Sequence, residues 1–374
     1  MRAVSEGALY IGLISGTSRD GVDAALVRFG DTTATLLDAL CQPYPGELRR
    51  RLERLLKTGQ RPSDEDMREL DAAIAGHFAE SALHLLDRAG CDAGIVHAIG
   101  SHGQTVWHAP EAPQPESIQL GNPAAIAART GICTVGDFRR ADLAAGGQGA
   151  PLAPLLHRAL FRPERGCRIV LNLGGIANIS FVDASGQVCG FDTGPANCLL
   201  DAWIQQHQGR AFDRDGAWAA SGQADRDLLD ELLQDPWFGK QPPKSTGIEY
   251  FNLAWLARHL ASRSIEPRDV QATLAELTAV SVANAVRPSD AKDLLLCGGG
   301  CHNGFLRQRL AHHLPAQQLR TTAEFGVEPD WVEAVLFAWL ARERLAGRAQ
   351  DTRSITGARQ PVLLGTVAHP VGVN

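Results

Sequence analysis

The residues of this chain that could do chemistry gather in a few turns. The first is Gly16-Thr17-Ser18-Arg19-Asp20-Gly21-Val22-Asp23. Hydroxyls and N–H groups in a tight turn can grip phosphate oxygens, and Asp20 could hold Mg²⁺ directly or through water. A plain hairpin with Asp-Gly at its tip is the alternative. A second glycine turn, Gly174-Gly175, and a third, Gly298-Gly299-Gly300, each follow an apolar run. Bare backbone at the third could lie against a flat ring; a strand-to-helix turn needs only one glycine. Asp192, within Gly190-Phe-Asp-Thr-Gly-Pro195, ends another apolar run. A carboxylate there could serve as general base toward a hydroxyl or water, or simply cap the next helix.

Other residues are more ambiguous. Arg139 and Arg140, in Gly136-Asp-Phe-Arg-Arg-Ala-Asp142, could clamp an anionic group or form local ion pairs. Lys244, in Pro242-Pro-Lys-Ser-Thr-Gly247, could reach a phosphate, although a surface loop is the preferred reading. His102, Gln104 and His108 lack metal-ligand spacing, which favours hydrogen bonding over metal binding. Glu333 is a lone acid among apolar neighbours, which lean toward burial. Neither a P-loop nor a G-x-G-x-x-G turn occurs, so a bound nucleotide would use another device.

The elements that must position these residues follow from periodicity. Leu9–Ile14 reads as a buried strand, followed by strands at Val22–Phe29 and Thr35–Leu40. Helices are expected over Gly46–Lys57 and after Ser63, an N-cap with Asp66 three residues on. Ile95–Gly100 is a strand running into Ser101–Thr105. The opening then recurs: strands at Arg168–Leu173, Ile176–Val182 and Gln187–Phe191, with glycine turns between them. Ala291–Cys297 reads as a strand, His302–His312 and Trp331–Leu345 as helices, and the tail as irregular or short-stranded. Two such openings suggest two related α/β domains, with glycine turns approaching a phosphate from two sides. The expected division is 1–137 plus 346–374 for the first domain and 138–345 for the second.

Bulk properties narrow the class. At 374 residues the chain is long enough for two domains. Its 44% hydrophobic and 21% charged residues are ordinary for a globular protein, and a net charge of -6 argues against nucleic-acid binding. The eight cysteines are scattered and read as reduced thiols. No secretory signal or membrane span is visible, so a cytoplasmic location is expected.

Taken in order, these stretches resemble the anhydro-N-acetylmuramic acid kinase family. The resemblance rests on GTSRDGVD (16–23), SHGQTVWH (101–108), QLGNPAAIAARTGI (119–132) and DFRRADLAAGGQGAPLAP (137–154). It continues through LNLGGIANIS (171–180), GFDTGPANCLLDAW (190–203), FDRDGAWAASG (212–222), PPKSTG (242–247), CGGG (297–300) and FAWLA (337–341). Arg19 and Ile248 depart from the family pattern, which usually has an apolar residue and an Arg there. The resemblance implies two duplicated actin/hexokinase-like (ribonuclease H-like) α/β domains with ATP between them. It implies that a 1,6-anhydro amino sugar from peptidoglycan is opened by water and phosphorylated on O6. By similarity Asp192 is the base. Gly16–Asp23, Gly174, Gly175 and Gly298–Gly300 hold ATP, with Mg²⁺ at Asp20. His102, Gln104, Arg139, Arg140 and Glu333 meet the sugar. A homodimer is compatible with this reading; a nucleic-acid or membrane partner is not expected. The rival readings are a kinase for another amino sugar, an actin-like ATPase and a non-catalytic sugar sensor.

Overall fold

The computed structural model describes residues 7–16, 20–56, 60–242, 244–261 and 263–370. The chain divides into two units, one of residues 1–160 and 325–374 and the other of residues 161–324.

The first unit opens with an antiparallel meander, β1 (Leu9–Ser15), β2 (Gly21–Phe29) and β3 (Ala34–Pro43). Every residue of β1 is buried, as its unbroken apolar run requires of a central strand. Helices α1 (Gly46–Leu56) and α2 (Asp64–Ala89) follow. Ser63 caps α2 by accepting from the Asp66 N–H, as its spacing predicts. Next come β4 (Val96–Ala109), β5 (Glu116–Leu120), α3 (Pro123–Thr130), β6 (Thr134–Gly136), α4 (Arg140–Ala144) and α5 (Ala153–Leu160). The expected strand at 95–100 is thus longer, and residues 101–108 continue it, paired to β5 from Gln104 onward.

The second unit repeats the plan. An antiparallel meander, β7 (Cys167–Leu173), β8 (Ile176–Asp183) and β9 (Val188–Pro195), leads into α6 (Asn197–Gln208). Helices α7 (Ala217–Ala220), α8 (Arg226–Leu233), α9 (Leu253–Leu260) and α10 (Pro267–Val286) precede β10 (Asp293–Cys297), α11 (Gly304–His313) and β11 (Gln318–Thr321). The chain then returns to the first unit with α12 (Val332–Leu345), α13 (Arg353–Thr356) and β12 (Thr366–Ala368).

The two sheets run β12-β6-β4-β1-β2-β3, with β5 on β4, and β11-β10-β7-β8-β9. In each, the first strand has its antiparallel meander partner on one side and parallel strands on the other. This duplicated layout is the actin/hexokinase-like, ribonuclease H-like architecture expected from the sequence.

The division falls at 160/161 and 324/325 and not at the expected 137/138 and 345/346. For the second boundary the reason is visible in α12. Gly12 and Gly100 pair across β1 and β4. A Cβ at either would lie 1.7 Å from Ala334 O or 1.9 Å from Phe337 O, so α12 lies directly on the first unit's sheet. Each unit has its own core. Ile11, Leu13, Ile74 and Phe78 belong to the first, and Ile169, Leu171, Leu294 and Val282 to the second. A separate aromatic cluster in the second unit includes Trp237, Phe251 and Trp255.

Candidate active site

In the first unit the turn after β1 is held from below. Ser15 Oγ donates to Gln104 Oε1 at 2.7 Å, and Gln104 Nε2 donates to Gly16 O at 3.5 Å. Gln104 is buried and ties β4 to the turn; its polar atoms are occupied by the protein itself. Thr17, Ser18 and Arg19 lie outside the described residues. Asp20 is exposed, Gly21 lies so close to β3 that a Cβ would be 2.4 Å from Gln42 O, and Val22 is buried. Asp23, on β2 opposite Ile14, has its carboxyl pushed up to about 6. Burial is the main cause, with Asp20, Glu333 and Asp330 adding repulsion and a Cys41 hydrogen bond opposing it.

Arg139, His102 and Glu333 come together around α12. Arg139 Nε donates to His102 Nε2 at 3.2 Å, so that ring nitrogen is an acceptor and the imidazole is neutral. The proton is on Nδ1, which faces Gly103 O at 3.1 Å. Burial first, then Arg139, holds the His102 pKa well below its usual value. The ring stacks on Phe337 with centroids 4.5 Å apart. Glu333 is exposed, against the expected lean to burial. Its carboxyl is nevertheless raised by desolvation, which Arg139 partly offsets.

Arg140 points elsewhere. Its side chain is 80% exposed and pairs with Asp137 at 3.0 Å. Both line a cavity of about 880 Å³ with Ser101, His102, Gln119 and Asn122. The volume is within the range of small-molecule sites. Ser101 Oγ is buried in this lining with no hydrogen-bond partner among the described residues. Sequence reasoning missed Ser101 and Asp137, although both stand inside the quoted motifs; Asp137's φ of +56° marks it as unusual only in three dimensions.

In the second unit Asp192 sits on β9, the sheet's outer strand, opposite Asn178. The Thr246 N–H donates to its Oδ2 at 2.9 Å, and Oδ1 has no hydrogen-bond partner among the described residues. The carboxyl is pushed up to about 6, chiefly by burial; the Thr246 N–H opposes the rise and Glu249 adds to it. Lys244 does not extend outward, as a phosphate ligand would. Its Nζ donates to Phe238 O at 3.0 Å and lies 4.4 Å from the Trp237 ring centroid.

The glycine turns of this unit differ in what they leave open. Gly174 O accepts from the Asn197 N–H, and Gly175 O from those of Ala196 and Cys198, so the turn seats α6. A Cβ at Gly174 or Gly175 would meet only ordinary contacts of 3.5 Å or more. Nothing within the described protein demands glycine there. In the third turn Gly298 has φ +77°, and its Cβ would be 2.3 Å from Asn172 Oδ1. Gly300 would collide with Leu173, while Gly299 has nothing within 4 Å. Three glycines therefore do not all present bare backbone: two pack on β7 and only Gly299 faces open space. Among the described residues no cluster of three or more His, Cys, Asp or Glu could hold a metal, and no helix is long and apolar enough to cross a membrane.

A family model described as anhydro-N-acetylmuramic acid kinase matches residues 8–370. A protein of that name from Xanthomonas campestris pv. campestris (strain 8004) is 48% identical over 364 residues, covering 96% of this chain and 97% of that one. Another, from Chromohalobacter salexigens, is 50% identical over 366 residues, covering 96% and 98%. Among solved structures, a ROK family glucokinase from Streptomyces griseus in complex with glucose and AMPPNP aligns over 90% of this chain and 99% of that one. Its identity is 17% and its TM-score 0.41.

Proposed function

The chain belongs to the anhydro-N-acetylmuramic acid kinase family, and from that premise we propose that it uses ATP to open 1,6-anhydro-N-acetylmuramic acid and phosphorylate O6. The product is N-acetylmuramic acid 6-phosphate, made in the cytoplasm during peptidoglycan recycling. The observation that carries the reading is Asp192: one carboxylate oxygen held by a main-chain N–H, the other unclaimed, and a pKa near 6. A base for water at neutral pH needs those features.

Asp192 Oδ1 takes a proton from water as the water oxygen bonds to C1. The C1–O6 bond breaks, O6 takes the γ-phosphoryl group, and ADP departs. No acid is required for O6, so one carboxylate suffices where other glycosidases use two. Gly16–Asp23, Gly174, Gly175 and Gly299 are assigned to ATP. Gly298 and Gly300 shape the third turn. Mg²⁺ fits the donors present: Asp20 is exposed, and the Asp23 carboxyl is raised partly by neighbouring negative charge that a cation would relieve. Bound with the triphosphate, the ion would neutralise phosphate charge, with Asp20 as its protein ligand. His102, Arg139, Arg140 and Glu333 are assigned to the sugar, and Gln104 supports the phosphate turn from below.

The deciding experiment is turnover of the anhydro sugar with ATP in ¹⁸O-water, read by mass spectrometry. The product is expected to gain one phosphoryl group and one water, with the label at C1. A phosphorylated product with the anhydro bridge intact would refute the coupled reaction.

A further inference from the structure

The aromatic cluster beside Asp192 has no part in the reading above, and neither does the cation seated on it. β9 is the outer strand of its sheet, so its free edge must be satisfied by something other than a strand. Residues 244–246 do this. The Asp192 N–H donates to Lys244 O at 3.0 Å, and the Thr246 N–H returns to Asp192 Oδ2 at 2.9 Å. Between them, Ser245 O accepts from Trp237 Nε1 at 3.2 Å. Trp237 is buried and meets Phe238 and Phe251 edge-on, with centroids 5.4 and 5.3 Å away. Lys244 closes the arrangement by reaching back over the Trp237 ring to Phe238 O.

We propose that Lys244 is a positioning residue for Asp192. Its ammonium, clasped to Trp237 and Phe238, pins the main chain of 244–246 along β9 so that one carboxylate oxygen is fixed and the other faces the reacting water. This rests on Asp192 being the base. A partly desolvated ammonium over a ring face is favoured by the ring quadrupole. It also satisfies the carbonyl at Phe238, so the contact is specific in direction as well as place. The charged groups around this segment are Glu249 toward Asp192 and Lys240 toward Lys244. Losing the clasp frees the Thr246 N–H from the carboxylate. That bond lowers the Asp192 pKa, so its loss raises it and moves the acid limb of the pH profile upward.

The test compares Lys244→Met, Lys244→Arg and Trp237→Phe with wild type, using ATP and the anhydro sugar. Lys244→Met keeps the stem and removes the charge. It is expected to lower kcat by about 10- to 100-fold, the scale of a small misplacement of a catalytic group. KM for ATP should be unchanged and the acid limb of kcat should shift upward. Lys244→Arg, which keeps a cation over the ring, should restore most of the rate. Trp237→Phe removes the donor to Ser245 and should move the limb in the same direction. A raised KM for ATP with an unmoved acid limb would overturn the proposal and make Lys244 a phosphate ligand. If Lys244→Met does not fold, an unmoved limb in Trp237→Phe overturns it equally. Asp192→Asn, run alongside, separates the two ideas: a fully active Asp192→Asn removes the base assignment itself.

Discussion

At the scale of single residues, Asp192 and Gly299 carry the sharpest expectations. Asp192→Asn keeps the shape of the side chain and the Thr246 contact but cannot accept a proton from water. Turnover should fall by at least about 10³-fold, toward the upper range of general-base effects, while ATP binding measured by titration persists. Because the carboxyl must be ionised to act, wild-type kcat/KM should rise with pH through about 6 and then level. An acid limb near the ordinary aspartate value would show that burial does not raise this carboxyl. Gly298 and Gly299 are adjacent but should behave oppositely. Gly298→Val combines a left-handed backbone with a collision at Asn172, so it should damage folding. Gly299→Val meets no protein atom within 4 Å, so it should fold normally. It should bind an ATP analogue more weakly while sugar affinity holds. Loss of sugar affinity alone would put this turn on the sugar side.

At the scale of elements, Asp142 binds two distant segments of the first unit. It is fully buried on α4 and accepts from the Gly149 N–H at 2.7 Å and from the hydroxyls of Thr352 and Thr356 at 2.6 and 2.8 Å. The loop after α4 is thereby stitched to α13. Asp142→Ala strands the Gly149 N–H and the Thr352 hydroxyl, while the Thr356 hydroxyl keeps Thr352 O at 3.2 Å; the expected loss is about 2–4 kcal/mol in denaturant unfolding. Since α4 also begins at Arg140, KM for the sugar should rise with little change in KM for ATP. A variant of wild-type stability would show that water replaces the carboxylate. Asp142 stands in a motif that the sequence brought forward for its arginines. Its threonine partners lie 210 and 214 positions along the chain, and no local pattern links them to it.

At the scale of the whole molecule, burial shifts two sets of groups in opposite senses. Asp23 and Asp192 are raised to about 6 and Asp201 to about 7, each chiefly by desolvation. The folded chain therefore takes up these protons before the unfolded chain does. Stability from this set grows as pH falls from about 7 toward the unfolded value. His108 is lowered to about 4 and His157 to about 3, with His102 lowered as well, again chiefly by desolvation. The unfolded chain protonates these first, so stability from this set is lost as pH falls below about 6.5. The two trends oppose each other, and the melting temperature should change little between pH 7 and pH 5. His157→Gln removes one member of the second set and should tilt the profile toward greater stability at pH 5 than at pH 7, relative to wild type. An unchanged profile in that variant would show that His157 does not resist protonation.

Local pattern was enough for the family and the duplicated α/β plan. Apolar runs of strand length and glycine turns are set by steric and solvation preferences acting over a few residues. Leu9–Ser15, the Ser63 cap and the repeated meander at Cys167–Pro195 could therefore be read directly. Tertiary structure decided what those local signals leave open. It put α12 on the first unit's sheet through Gly12 and Gly100, where backbone approaches backbone. It turned Lys244 back onto Trp237, set Gln104 against Ser15 and Gly16, and left Gly299 alone of its three glycines facing open space. Each of these depends on atoms brought together from distant parts of the chain. Packing and desolvation act on those distances in space, which the spacing of residues in sequence does not contain.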